Sequence, residues 1–183
     1  MNFIENDINE IVAGCKNMNS KAQHRLYEIY AKRMTALCYR YCNDQETARD
    51  IMHDGFIKVF SYINSYRGGN FDAWLKKIFV NTALDRLRKD NALKDAVTIQ
   101  GLENFMADKS PDFTESIDIK NIINAISQLP SVMRTVFNMY NFDGYSLDEI
   151  AKELKMTASA IRSQHARAKQ KLQIILKQKY EIF

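Results

Sequence analysis

Proline is nearly missing from this chain, with two in 183 residues, and glycine occurs only six times. A sheet-rich fold turns often and draws on both residues at its turns, so their scarcity argues for helices. No apolar run approaches the roughly 18 residues that a membrane helix needs, so no membrane insertion is expected. Three cysteines, an odd number, make no disulfide framework and fit a reducing cytoplasm. Cys38 and Cys42 stand one helical turn apart, but no second Cys or His pair completes a four-ligand metal set, so they read as free thiols. The three histidines, His24, His53 and His165, are scattered. No glycine-rich phosphate loop and no nucleophile motif occurs. Neither an enzyme nor a cofactor is expected. The opening "MNFIENDINEIV" is acidic and lacks a signal-peptide pattern, which points to a cytoplasmic protein.

What is present is charge, unevenly spread. The overall net charge is +4. Residues 1–20 carry one basic and three acidic side chains, and residues 21–90 carry 13 and 8. Residues 91–117 carry 2 and 5, and residues 118–183 carry 10 and 6. Two basic blocks are thus joined by an acidic one, and basic blocks suit a polyanion, most often nucleic acid. The acidic joint, "NALKDAVTIQGLENFMADKSPDFTESI", shows no sustained apolar period. At about 25 residues it is long for a connection inside one compact domain. The expected architecture is therefore all-α. It has an N-terminal arm (1–20), a first small helical domain (21–90), a flexible acidic linker (91–117) and a second small helical domain (118–179).

In the first block, "DQETARDIMHDGFIKVF" places Ala48, Ile51, Met52, Phe56, Val59 and Phe60 three and four residues apart, which marks the buried stripe of a helix. Its other side carries Glu46, Asp50 and Asp54, four apart. Like charges so spaced repel by a few tenths of a kcal/mol per pair, and Arg49 and Lys58 relieve part of this. The face is either a solvated surface or a dock for a basic partner. The next stretch, "FSYINSYRGGNFDAWLKK", interleaves aromatic rings with cations around Gly68-Gly69. A helix is expected from about Asp72, its N-cap, to Lys89. At 100° per residue, apolar positions fill two sides of that helix. Between them runs a line of Trp74, Lys77, Asn81, Asp85 and Arg88. Such a line can follow a phosphate backbone and touch base edges, and the loop "SYRGGN" offers rings on which bases could stack. Together they favour single-stranded nucleic acid.

The second block, "YSLDEIAKELKMTASAIRSQHARAKQKL", reads as a helix-turn-helix. Leu147, Ile150, Ala151 and Leu154 face inward on a short helix, and Lys155-Met156 makes a turn that lacks the usual glycine. Thr157 can cap a second helix with Ile161, His165, Ala168, Leu172 and Ile175 inward. Its opposite face presents Ser159, Arg162, Ser163, Ala166, Arg167 and Gln170. Small residues at the centre with arginines at the flanks suit a major groove about 12 Å wide.

With these stretches in view, the chain over about 20–178 resembles a bacterial RNA polymerase sigma factor of the extracytoplasmic-function (ECF) group of the sigma-70 family. "ARDIMHDGFIKVFSYI" resembles the segment that docks on core RNA polymerase. The resemblance assigns that role to Glu46, Asp50, His53, Asp54 and Lys58, although His53 stands where glutamine is frequent. "SYRGGNFDAWLKKIFVNTALDRLRK" resembles the segment that opens and reads the minus-ten promoter element. It implies contacts from Ser65, Tyr66, Arg67, Asn70, Trp74, Lys77, Asn81 and Arg88, with a flipped base captured at the loop. The helix-turn-helix resembles the minus-thirty-five reader, with Thr157, Ser159, Arg162, Ser163, Ala166, Arg167 and Gln170 toward DNA. Gln164 and His165 depart from the more common basic and apolar choices. The implied partners are core polymerase, promoter DNA in duplex and single-stranded form, and an anti-sigma factor. The resemblance also implies that the linker threads the polymerase channel.

Energetics agree with a factor that works inside a larger machine. Unpairing DNA costs about 1.4 kcal/mol per step, and a stacked base returns about 1–3 kcal/mol. One or two captured bases do not hold open a bubble of many pairs. Two other classes compete with this reading. A helix-turn-helix regulator with a ligand-sensing first domain would need an apolar pocket there. A helical nuclease or hydrolase would need clustered carboxylates or a metal set.

Overall fold

The computed structural model describes residues 3–90 and 119–180. It divides into two units, with the boundary after Leu87. Among the described residues all regular structure is helical, and no helix is long and apolar enough to cross a membrane. The stretch read as a linker, 91–117, and with it the channel role, lies outside the described residues.

The first unit contains α1 (Phe3–Lys16), α2 (Ser20–Cys42), α3 (Gln45–Tyr62), a 3-10 turn (Ile63–Ser65) and α4 (Phe71–Lys89), whose last two residues pass the boundary. The stretch expected to be an arm, 1–20, instead holds α1, which packs on α2 by burying Ile11, Val12 and Cys15. The turn between α1 and α2 is tight enough that a Cβ on Gly14 would meet the Ala22 Cβ at 2.6 Å. Asn19 then caps α2 by accepting from the backbone N–H of Lys21 and Ala22, and Asp44 caps α3 through Thr47 N–H. These caps satisfy amide groups that the helix cannot pair itself.

The core is built from one stripe of each helix. Leu26, Tyr30, Met34, Leu37, Cys38 and Tyr41 come from α2, and Ala48, Ile51, Met52, Phe56 and Val59 from α3. The α3 stripe is the expected one except that Phe60 is only half-buried. From α4 come Phe71, Leu75, Phe79, Val80, Ala83, Leu84 and Leu87. The α3–α4 contact is close at one point: the Phe79 ring lies against Gly55, where a Cβ would sit 2.4 Å from it. Phe56 packs on the same ring, edge to face, at 5.2 Å. The three cysteines are free thiols; Cys15 and Cys38 are buried, and burial pushes both above the ordinary thiol range. No group of His, Cys, Asp and Glu able to hold a metal occurs among the described residues.

The second unit contains α5 (Ile119–Ser127), α6 (Ser131–Asn141), α7 (Leu147–Leu154) and α8 (Ala158–Tyr180). Pro130 stands just before α6, where its missing N–H costs nothing. Arg134 donates to the carbonyls of Ser127 and Leu129, closing the end of α5 onto α6. Ala125, Ile126 and Leu129 form a core with Ala168, Leu172 and Leu176 of α8. Ile175, expected to face inward, packs at its margin.

Candidate nucleic-acid interface

The aromatic loop is held at three points. Tyr66 donates its hydroxyl to the Gly69 carbonyl at 2.6 Å. Asn70 accepts from Ala73 N–H at 3.0 Å and so caps α4. The third is Lys16 of α1, whose Nζ donates to the Tyr66 carbonyl at 2.8 Å. Gly68 and Gly69 take φ of +102° and +92°, a region that other L-residues rarely enter. That conformation folds the chain back far enough for the Tyr66 hydroxyl to reach Gly69.

Two expectations are corrected here. The N-cap of α4 is Asn70, not Asp72. Asp72 turns away to α2, where Tyr30 Oη donates to its Oδ1 at 2.6 Å and Arg33 pairs with its Oδ2. Burial pushes the Asp72 carboxyl up, but the Arg33 and Tyr30 hydrogen bonds outweigh that and hold it below the ordinary range. Burial and the Asp72 bond together keep the Tyr30 phenol protonated. The second correction concerns the rings. Tyr66 is only 5% exposed, packed edge-on against Phe71 at 5.3 Å and tilted against Trp74 at 5.5 Å. The ring is core, not a stacking platform, because burying it and satisfying its hydroxyl locally are both favourable. Phe71 and Phe79 are also buried, Phe60 and Trp74 half-buried, and Tyr62 exposed.

What the loop presents to solvent is Ser65, Arg67, Gly68, Gly69 and Asn70. The Ser65 hydroxyl donates to the Tyr62 carbonyl. On α4 the expected line holds as the less buried side, with Lys77 and Arg88 exposed and Trp74, Asn81 and Asp85 half-buried. The Asn81 Oδ1 points inward and has no hydrogen-bond partner among the described residues. Asp85 receives Lys58 of α3 at 3.1 Å. Lys58, expected to relieve the acidic face of α3 and to share in docking, is thus engaged toward α4. Glu46, Asp50, His53 and Asp54 are all exposed, and Ile57 beside them is 64% exposed.

In the second unit the helix-turn-helix is built as expected, except that Leu147 and Leu154, expected inward, are only half-buried. Ser146 and Glu149 form a reciprocal capping box at the start of α7. Lys155 ends that helix at φ +54°, ψ +42°, so a lysine occupies the left-handed position usually given to glycine. Thr157 caps α8 by accepting from Ala160 N–H at 3.2 Å. Ile161, Ala168 and Leu172 are buried, while Ser159, Arg162, Ser163, Ala166 and Gln170 are exposed and Arg167 half-exposed. Arg162 lies 3.9 Å from Asp148, both largely in solvent, a pairing too weak to restrain it. His165 packs against Tyr140 at 4.6 Å and shares a hydrogen bond with Asn141. Burial, with Lys169 nearby, lowers its proton affinity, so it adds no charge to the outer face at neutral pH.

Sequence reasoning missed Lys16, Tyr30 and Arg33 as parts of this architecture, and it placed Asp85 on the α4 line without its Lys58 partner. Each acts on a residue 27 to 50 positions away, and no local pattern carries such a pairing.

Comparison with known proteins finds two family domains in the same order along the chain. The family "Sigma-70 region 2" matches residues 26–92, and "Sigma-70, region 4" matches residues 119–172. The ECF RNA polymerase sigma factor SigW of Bacillus subtilis is 30% identical over 158 residues, covering 80% of this chain and 84% of its own length. The ECF RNA polymerase sigma factor SigE of Mycolicibacterium smegmatis is 27% identical over 150 residues, covering 80% of this chain but only 58% of its own length. The solved sigma factor RpoE of Bartonella quintana, in complex with the anti-sigma factor NepR, has a similar fold. Its TM-score is 0.54 at 21% identity, covering 85% of this chain and 97% of that one. With both domains matched in order, and a relative of that identity spanned over most of its length, this chain belongs to the ECF group of the sigma-70 family, the bacterial factors that direct RNA polymerase to promoters.

Proposed function

We propose that the two units divide promoter recognition between them, and that the first also docks on core RNA polymerase. The dock is the exposed acidic face of α3, Glu46, Asp50 and Asp54 with His53, and exposed Ile57 adds apolar area beside it. Lys58 serves this face only indirectly, because it is engaged with Asp85. The minus-ten element is opened along the loop and α4. Ser65, Arg67 and Asn70 reach the displaced strand, and Lys77 and Arg88 follow its phosphates. Trp74 and Asn81 lie where a base leaves the stack. Tyr66 holds the loop and does not stack on DNA. The exposed face of α8 reads the minus-thirty-five element in the major groove, with Arg162 and Arg167 flanking the small Ser159, Ser163 and Ala166. Thr157 and Gln170 lie at the ends of that face.

The observation that carries this reading is the continuity of the exposed Arg67–Asn70 loop with the Trp74–Lys77–Asn81 line of α4. A ligand-sensing regulator would call for an enclosed apolar chamber in this unit. The cleft beside the loop is open and bears Lys16 and Arg67. The factor acts without catalysis of its own, in the cytoplasm with the polymerase, and its regulator is an anti-sigma factor of the kind seen with the Bartonella quintana protein. Permanganate footprinting of the holoenzyme on a duplex promoter tests the reading. Trp74→Ala with Asn81→Ala should reduce opening while duplex binding through α8 survives, and a premelted template should rescue it. Undiminished opening on the duplex would make these residues structural only.

A further inference from the structure

We propose that Lys16 of α1 is a positioning residue for promoter melting, acting through the loop it holds. The inference rests on the reading of loop and α4 above, and it concerns a helix outside the matched region 2 segment, 26–92. Three observations carry it. Lys16 Nζ donates to the Tyr66 carbonyl at 2.8 Å, across 50 residues of sequence. The same ammonium stands 5.7 Å from the centre of the Tyr66 ring, within cation–π range. Moreover, α1 packs on the 3-10 turn that leads into the loop, and the Lys16 side chain is half-buried there.

Tyr66 is the last anchored residue before the loop tip, and this gives the Lys16 contacts their weight. Gly68 and Gly69 have positive φ, and a Cβ on either would meet nothing within 4 Å. The tip itself is tied down by the bond from the Tyr66 hydroxyl to the Gly69 carbonyl. Its position is set at its two ends, by the Asn70 cap on one side and by Tyr66 on the other. Lys16 fixes the Tyr66 end twice, at the carbonyl and over the ring. Removing the ammonium leaves the Tyr66 end held by its ring packing and its hydroxyl alone, with the carbonyl that leads into Arg67 no longer held, so more of the geometry for meeting a flipped base must be ordered during opening. That is an entropic cost borne by melting and not by folding.

The chain's own α1 can be loosened without touching this bond, which separates positioning from scaffolding. Ile11 is buried on α1, a helix that packs chiefly on α2. Holoenzymes assembled from core polymerase and full-length Lys16→Met, Lys16→Arg, Ile11→Ala and Arg67→Ala chains are compared by permanganate reactivity, on a duplex promoter and on the same promoter premelted. Lys16→Met keeps the aliphatic stem and loses the charge. It should slow opening on the duplex about ten-fold, the size of a hydrogen bond from a charged donor, and open the premelted template as wild type does. Lys16→Arg should restore most of the rate. Ile11→Ala should lower the thermal midpoint of the free chain more than it slows opening. Wild-type opening by Lys16→Met, or equal slowing by Ile11→Ala at matched stability, overturns the proposal. If Arg67→Ala and the Trp74→Ala, Asn81→Ala double variant both open the duplex normally, the loop reading itself falls, whatever Lys16 does.

Discussion

Gly55→Ala on α3 sets two effects of opposite sign against each other. Helix preference favours alanine over a mid-helix glycine by about 1 kcal/mol. Packing opposes it. The new Cβ would lie 2.4 Å from Phe79 Cε1 and 2.6 Å from Cδ1, against the roughly 3.5–4.0 Å of unstrained carbon contact. The Phe79 ring cannot swing clear, because it is fully buried and Phe56 stands against it at 5.2 Å. Overpacking costs about 1–3 kcal/mol, and an overlap this deep belongs at the upper end. Packing therefore wins, and the variant should lose about 2 kcal/mol. The chain has a single tryptophan, Trp74, half-buried against Phe71 and Tyr66 in the first unit. Its fluorescence in a urea titration follows that unit alone. The midpoint should fall with little change in slope, and Phe79→Leu in the same chain should cost less than the two single losses added together. A Gly55→Ala chain as stable as wild type, or more so, would refute the reasoning, since propensity would then have decided the outcome.

The other predictions concern charge. Asp50→Lys with Asp54→Lys should weaken binding to core polymerase and leave the circular dichroism unchanged, as both side chains are solvent-exposed; unaltered core affinity would exclude this face as the dock. Arg162→Ala should flatten the preference among single-base variants of the upstream element, where a base-reading side chain discriminates by about 1–3 kcal/mol. Lys177→Ala should instead weaken all sequences alike and lower the salt slope by about one or less, so a uniform loss from Arg162→Ala would make Arg162 a phosphate clamp. Asp72→Asn should destabilise the first unit by about 0.5–1.5 kcal/mol at neutral pH, since the group is partly in solvent. Because the folded carboxyl titrates below its ordinary value, that stabilisation is complete above about pH 4 and disappears as pH falls through the lowered value. The two chains should therefore converge in acid, and a constant gap would rule out the ion pair as its source.

Periodic features were legible in the sequence. The α3 stripe, the two packed sides of α4 and the Thr157-capped helix of the helix-turn-helix follow from spacing alone, because one face of each helix meets one core. The Lys155-Met156 turn was legible as one without the usual glycine, and of its two residues it is Lys155 that adopts the left-handed conformation. Most of the corrections arise from pairings that helical periodicity does not carry. "NFD" holds two good caps two residues apart, and Asp72 yields that role only because Tyr30 and Arg33, on another helix, claim it. Tyr66, set beside Gly-Gly-Asn, reads as an exposed loop ring until the positive-φ glycines bring Gly69 back to its hydroxyl. Lys58 lies on the charged face of its own helix but pairs across to Asp85. The first twenty residues carried a weak signal in Ile11, Val12 and Cys15, one turn of apolar spacing that their acidic composition masked.

The Gly55–Phe79 contact and the Lys58–Asp85 pair have a mechanical consequence when taken together. On the proposed reading, the outer face of α3 touches the polymerase and the outer line of α4 touches the displaced strand. The two helices are fastened to each other at one buried point and one surface point. The fastened pair works as a lever with no hinge: a tilt of α3 on its seat becomes a displacement of α4 along the DNA. Substitutions can alter either surface separately, but neither surface can be moved without the other. The accuracy with which the minus-ten element is met is then inherited from the accuracy of docking.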